Sequence, residues 1–400
     1  VKIVVLTQNY VPDPAASSFR MKALAEELQQ RGHEVAVITG TPNRYSSFEL
    51  SRDKLNGGDK EVIVRIKRPV QSGSVLHRSL GDLVFLFKSL WVSRPYVRSC
   101  DVVVATTPHL WIGLAGAVSA WFHHKPLILD VRDLWPDVMI ELGIIHEKSV
   151  LFWLLKKIER FIYRSAREIT YNSPAFASHI AKEGGKTTAC ITNGIDDEYF
   201  QALKTLGTNP VLYNPYTVTY AGNIGMAQDL ETLVEVAAGF EGRFYFRLIG
   251  DGLDRIRIQR LIKQKKIRNI EIIPPVERTG LLGYYLESDA FFVHLKPIPM
   301  FEKTIPSKIF EYVATGKPVV WGLEGTASRV MEEIHEGQWA FKAGDAEDLK
   351  RVLEKLYGDL KTGDISPTGY CADALEEKYL RSSLSRRFAD IIEGAKNAVC

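Results

Sequence analysis

Cysteine is scarce in this 400-residue chain: there are four, Cys100, Cys190, Cys371 and Cys400, and no two are closely spaced. That excludes a disulfide framework and a cysteine zinc site, and it fits a reducing compartment, the cytoplasm. Long apolar runs are lacking too. No stretch reaches the roughly 18 uncharged apolar residues that span a bilayer. The N-terminal run Val1–Thr7 has the pattern of a first strand and is too short for a signal-peptide core. A net charge of +3 is small for this length and gives no argument for nucleic acid as a partner. Asp-x-Asp occurs nowhere, which removes one common way of holding a divalent metal against a phosphate. A Gly-x-Gly-x-x-Gly fingerprint is also missing, which disfavours a nicotinamide enzyme.

What is present is the composition of a globular protein too long for one core, so two domains are expected. Short β-branched runs alternate with segments of helical period, the pattern of βα units around a parallel sheet. Strands are expected at 2–7, 34–39, 62–67, 101–106, 126–130, 168–172 and 188–192. After Asn193-Gly194-Ile195-Asp196 and a linker over 207–215, further strands are expected at 217–221, 244–249, 270–273, 290–295 and 318–320. The expected organisation is an N-terminal Rossmann-like domain over 1–205, a C-terminal Rossmann-like domain over 206–372, and a terminal helical segment over 373–400 that returns to the first domain. The fold class is therefore α/β, with two Rossmann-like domains facing each other across a cleft.

Two segments mix aromatic and basic residues as interfacial helices do. One is Leu83–Val92, flanked by Arg78, Arg94 and Arg98; the other is Leu151–Arg167. An ordinary half-buried helix with a solvated basic face explains either equally well.

Glycine-bearing loops follow consecutive strands of the second half. Gly222-Asn223-Ile224-Gly225 lets the backbone approach a ligand closely, and the amides that follow could bind an anion; Gly250-Asp251-Gly252 repeats the arrangement one strand later. Tight strand-to-helix turns explain each loop nearly as well. The densest segment is Thr304–Pro318. Pro306 and Ser307 suit a first helical turn, and Lys308 and Glu311, three apart, share a face. A lysine at a helix start is disfavoured by the macrodipole by roughly 0.3–1 kcal/mol, a cost that an anionic ligand would reverse. Glu311 could then accept hydrogen bonds from vicinal ribose hydroxyls. A surface Lys308–Glu311 salt bridge remains the alternative.

Together these stretches resemble glycosyltransferase family 4, retaining enzymes of the GT-B fold. The similarity is strongest to bacterial enzymes of capsule, exopolysaccharide and O-antigen assembly, including the L-fucosamine transferase-like subgroup. It rests on Tyr10-Val11-Pro12-Asp13-Pro14, Arg132-Asp133-Leu134-Trp135-Pro136-Asp137, Asn193-Gly194-Ile195-Asp196, Gly222-Asn223-Ile224-Gly225-x-x-Gln228 and Pro306-Ser307-Lys308-x-x-Glu311. The resemblance implies that Glu311 holds the ribose, as the second glutamate of the family's Glu-x7-Glu motif. The first glutamate falls on Lys303, a departure. The family's two cations on the glycine loop fall on Asn223 and Gln228, which leaves Lys308, with Lys303, to face the diphosphate. Val276 falls where the family's backbone reads the base. Ala15 and Ala16 stand where relatives keep a glycine pair. His109 and Asp133, at strand carboxyl ends, are candidates to orient the acceptor.

The implied activity is transfer of a hexosyl group from a UDP-sugar to an acceptor hydroxyl with retention, in bacterial surface polysaccharide biosynthesis. Lys308 would stabilise the leaving diphosphate, and neither metal nor cofactor would be needed. The expected partners are the UDP-sugar and a saccharide or lipid-linked saccharide, with peripheral contact to the inner membrane face and no nucleic acid. Two rivals share the architecture: a non-hydrolysing UDP-sugar 2-epimerase and a non-catalytic sugar-nucleotide-binding protein.

Overall fold

The computed structural model describes residues 1–13, 15–42, 61–67, 75–107, 110–141, 143–205, 215–335, 338–363 and 372–397. It divides into two compact units, residues Val1–Asn193 with Arg381–Cys400, and Gly194–Leu380.

In the first unit, β1 (Lys2–Leu6), α1 (Ala16–Gln30), β2 (Glu34–Gly40), β3 (Glu61–Ile66), α2 (Val75–Ser99), β4 (Val102–Thr106) and α3 (Leu110–Phe122) follow in turn. The chain continues with β5 (Leu127–Val131), α4 (Asp137–Glu141), α5 (Val150–Ser165), β6 (Glu168–Tyr171), α6 (Ala177–Lys182) and β7 (Thr187–Cys190). The seven strands form one parallel sheet in the order β3-β2-β1-β4-β5-β6-β7. Strands β4 and β5 are buried along their whole length, as expected for a sheet covered on both faces.

The second unit opens with α7 (Asp197–Thr205), β8 (Tyr216–Ala221), α8 (Leu230–Ala237), β9 (Phe244–Ile249), α9 (Arg255–Gln264) and β10 (Ile270–Ile273). Next come α10 (Arg278–Glu287), β11 (Ala290–His294), α11 (Lys308–Ala314), β12 (Val319–Gly322), α12 (Gly325–His335), α13 (Ala346–Thr362) and α14 (Ala372–Tyr379). Its parallel sheet runs β10-β9-β8-β11-β12. Helix α13 starts where Asp345 Oδ1 accepts from the Asp348 amide at 3.0 Å.

Each expected strand is present, and the α/β class with two parallel sheets is that of the sequence reading. The unit boundaries differ from the sequence expectation at both ends. Tyr199, Phe200 and Leu203 of α7 lie in the core of the second unit, so the first boundary falls at Asn193 rather than 205. Leu375 and Tyr379 of α14 belong to that core too. Only the last helix, α15 (Arg381–Asn397), packs in the first unit, where Leu384, Phe388, Ala389 and Ile392 lie against Met21, Leu24 and Leu28 of α1. The linker expected over 207–215 falls, apart from residue 215, outside the described residues.

Candidate active site

Both sheets reverse strand order beside their first strand, between β1 and β4 and between β8 and β11, and the loops at such a switch point are where a parallel sheet receives ligands. In the second unit the Gly222 loop follows β8, the Gly250 loop follows β9 and α11 follows β11. Gly250 has φ +145°, and a Cβ there would lie 1.9 Å from the Gly222 carbonyl oxygen. The two loops can touch only because that position is glycine.

The loop's own amides are largely committed. Gly222 N donates to Ile249 O and Ile224 N to Asp251 O, each at 2.8 Å. The Gln228 side chain folds back so that its Oε1 accepts from Gly225 N at 3.1 Å and from Asn223 Nδ2 at 3.2 Å. The backbone anion cradle expected from the sequence is therefore mostly filled from within, and charge must come from a side chain.

Lys308 supplies it. Its stem is partly exposed, while Nζ is buried and has no hydrogen-bond partner. Nζ sits 3.6 Å from the centre of the Tyr220 ring, and a Cβ on Gly222 would come within 2.8 Å of it. Burial pushes the Lys308 ammonium down to about 7, against the pull of Glu311. The salt-bridge alternative is thus displaced. Among the described residues Lys308 has no ion-pair partner, and Glu311 is engaged elsewhere: Arg278 donates through its second terminal nitrogen to Glu311 Oε1 at 3.4 Å, and the Tyr285 hydroxyl donates to Oε2 at 3.4 Å. Tyr312, on the buried side of α11, clamps the end of β8: its hydroxyl accepts from Ala221 N at 2.7 Å and donates to Ala221 O at 3.2 Å.

Pro306 and Ser307 precede α11, which starts at Lys308, and Ser307 makes no side-chain cap. Lys303 ends a single 3-10 turn, Phe301–Lys303, five residues before Lys308 in the chain. Val276 lies in the loop entering α10 and packs on the core cluster that holds Ile309 and Tyr312. Gly252 has φ +159°, and a Cβ on it would meet Ile224 O at 2.3 Å. The structure thus places Gly222, Asn223, Gly225, Gln228, Gly250, Gly252, Val276, Pro306, Ser307, Lys308 and Glu311 in loops and first helical turns following β8 to β11. Tyr220, Arg278, Tyr285 and Tyr312, which shape the site, were not singled out from the sequence.

In the first unit Ala15 is buried at the start of α1 and Ala16 is that helix's first residue. Asp133 follows β5, part-buried, where the Trp135 amide donates to its carbonyl at 3.2 Å. His109 lies outside the described residues. In the one grouping of metal-ligand types among the described residues, Asp137, Glu159 and His179, both carboxylates pair with the Lys156 ammonium. Lys156 Nζ lies 3.0 Å from Asp137, 2.5 Å from Glu159 and 2.9 Å from Glu183.

Two parallel α/β units with ligand loops at their strands' carboxyl ends define the GT-B class. Residues 19–199 match the family described as Glycosyltransferase Family 4, and residues 209–363 the family described as Glycosyl transferases group 1. The chain belongs to glycosyltransferase family 4. It is similar to WcaI of Escherichia coli (strain K12), provisionally named a colanic acid biosynthesis glycosyl transferase, at 22% identity over 337 residues, covering 79% of this chain and 82% of that protein. It is also similar to WbjE of Pseudomonas aeruginosa, provisionally named a glycosyltransferase, at 24% over 341 residues, covering 82% and 80%. Among solved structures, Anabaena HepE in complex with UDP-glucose superposes with a TM-score of 0.72 at 15% identity, covering 98% of this chain and 99% of that one.

Proposed function

We propose that this protein transfers a hexosyl group from a UDP-sugar to an acceptor hydroxyl, with retention at the anomeric carbon, in building a bacterial surface polysaccharide of the kind made by the L-fucosamine transferase-like subgroup. The observation that carries this reading is the buried, unpartnered Lys308 ammonium beside the Gly222 loop. A buried cation without an acceptor is costly, and a diphosphate against it returns a charge-assisted hydrogen bond. As the sugar–phosphate bond breaks, negative charge grows on the leaving diphosphate, and Lys308 stabilises it there. Glu311, one turn along α11, accepts from the ribose hydroxyls. Val276 borders the uracil, and the leaving diphosphate takes the acceptor's proton. His109 and Asp133 orient the acceptor, and Ala15 and Ala16 leave room for it. Lys303 is a second cation for the diphosphate. The named roles of the Escherichia coli relative and the UDP-glucose in HepE support the donor and the product class.

With Lys308 carrying the charge, turnover is expected to persist after magnesium and manganese are removed with EDTA. Loss of transfer in EDTA, restored by manganese, would assign the diphosphate to a metal instead. UDP-GlcNAc incubated with the protein and no acceptor is expected to remain unchanged; formation of its C2 epimer would favour the epimerase.

A lipid-linked acceptor at a membrane face is supported by α5, which buries Leu155, Ile162 and Tyr163 yet also leaves a run of large apolar residues exposed. Lys156 and Glu159 point inward, whereas Val150, Leu151, Trp153, Leu154 and Phe161 are exposed beside the cations Lys157 and Arg164. Lys157 Nζ lies 3.6 Å above the Trp153 ring. Helix α2 adds exposed Phe87 and Trp91 with Lys88, Arg94 and Arg98, and α3 packs against both helices. No described helix is long and apolar enough to cross a membrane, so contact would be interfacial. The protein is expected to co-float with vesicles containing phosphatidylglycerol and not with pure phosphatidylcholine, and Trp153→Ser with Lys157→Glu should abolish co-flotation. Equal recovery with both vesicle types, or no effect of the double variant, would count against this face.

A further inference from the structure

The motif Asn193-Gly194-Ile195-Asp196 has so far served only as a turn between the halves, yet Asp196 is joined through Arg278 to Glu311. The Ile195 amide donates to Tyr379 O at 2.9 Å, which fixes the backbone just before Asp196. Asp196 in turn accepts from Arg278 at the start of α10. The Arg278 guanidinium lies 3.9 Å from the centre of the Tyr199 ring, and the Tyr199 hydroxyl donates to the Arg278 carbonyl at 3.4 Å. Held on both sides, the guanidinium presents its remaining terminal nitrogen to Glu311 Oε1. Tyr285, fully buried and edge-on to Tyr312 at 5.8 Å, presents its hydroxyl to the other oxygen.

We infer that Asp196 and Arg278 form a positioning pair that sets the Glu311 carboxylate for the two ribose hydroxyls of the donor. The inference rests on the donor reading above. The contacts of Arg278 and Tyr285 to Glu311 are long, 3.4 Å, and go to different oxygens of the carboxylate. Arg278 is itself neutralised by Asp196, so it steers the carboxylate without converting it into a closed salt bridge. Without Asp196 the guanidinium would be free to close fully on Glu311 and compete with the ribose. Without Arg278 the carboxylate would lose its lateral stop. Both changes displace the same acceptor, and misplacement on the ångström scale is costly for an interaction that depends on geometry.

The test is the ratio of affinities for UDP and 2′,3′-dideoxy-UDP, measured by calorimetry on the full chain alongside its melting. Glu311→Ala is expected to bring this ratio to one. Arg278→Ala and Asp196→Asn are each expected to lower it by roughly tenfold. Arg278→Lys, which keeps the charge but not the fork, should restore it only in part. A purely structural role, tying α7 to α10, would lower melting and weaken both ligands alike, leaving the ratio unchanged. Unchanged ratios in Arg278→Ala and Asp196→Asn, with Glu311→Ala at one, would overturn the positioning pair alone. A ratio unaffected by Glu311→Ala would overturn the ribose role on which it rests. Should Arg278→Ala fail to fold, Asp196→Asn and Arg278→Lys decide the matter.

Discussion

Lys308→Ala is expected to weaken UDP binding by roughly ten- to a hundred-fold while leaving uridine binding nearly unchanged. The estimate is the loss of one charge-assisted hydrogen bond, about 1.5–3 kcal/mol, converted to affinity. Only UDP carries the diphosphate, so the two ligands separate a phosphate contact from general damage to the site. The pH dependence sharpens the test. In the free protein the Lys308 ammonium titrates near about 7, so above that value binding must draw a proton from solution. UDP affinity should therefore fall by up to about tenfold per pH unit above neutrality, a fall that uridine should not show. The same depression fixes the sign for stability. Charging the buried amine costs stability in full below about 7, and the cost is relieved as pH rises towards the ordinary lysine value. A loss of UDP affinity in Lys308→Ala should therefore not come with a loss of fold at pH 6. Equal loss for UDP and uridine would remove this lysine from the diphosphate.

Deleting residues 381–400 is expected to unfold the first unit. Leu384, Phe388 and Ile392 of α15 are almost wholly buried against it, at 4%, 1% and 1% exposure. At about 1.5–3 kcal/mol for each large side chain, their loss alone is comparable to the roughly 5–15 kcal/mol that holds an ordinary domain together. Arg31 adds ion pairs from α1 to Asp390 at 2.7 Å and Glu393 at 3.1 Å, though exposed pairs of this kind contribute little. Five of the seven tryptophans, Trp91, Trp111, Trp121, Trp135 and Trp153, lie in this unit, so tryptophan fluorescence reports its melting. Phe388→Ala offers a milder version, with an expected cost of about 3–5 kcal/mol. A truncated chain that melts like the parent would show that α15 is dispensable.

The strands were legible because each is a short β-branched run closed by turn residues, and burial on both faces leaves such runs without polar interruptions. The Pro306–Glu311 stretch was legible because a lysine at a helix start lacks a local justification. Boundaries were less so. Tyr199, Phe200, Leu375 and Tyr379 have helical spacing whichever core they join, and only tertiary packing assigns them to the second unit. The loop chemistry was legible in its glycines but not in its saturation: nothing in Gln228 announces that its amide oxygen turns back onto Gly225. Arg278 was invisible for a related reason. Its partners Asp196 and Glu311 lie 82 and 33 residues away, and no local pattern encodes contacts at that range.

The proposed function requires a uridine diphosphate seated on Lys308 and Glu311 with its base beside Val276. Titrating the intact chain with UDP and with GDP under one set of conditions tests it most directly. UDP is expected to bind at least about tenfold more tightly, a margin of about 1.4 kcal/mol; GDP binding as tightly as UDP, or more so, would contradict it.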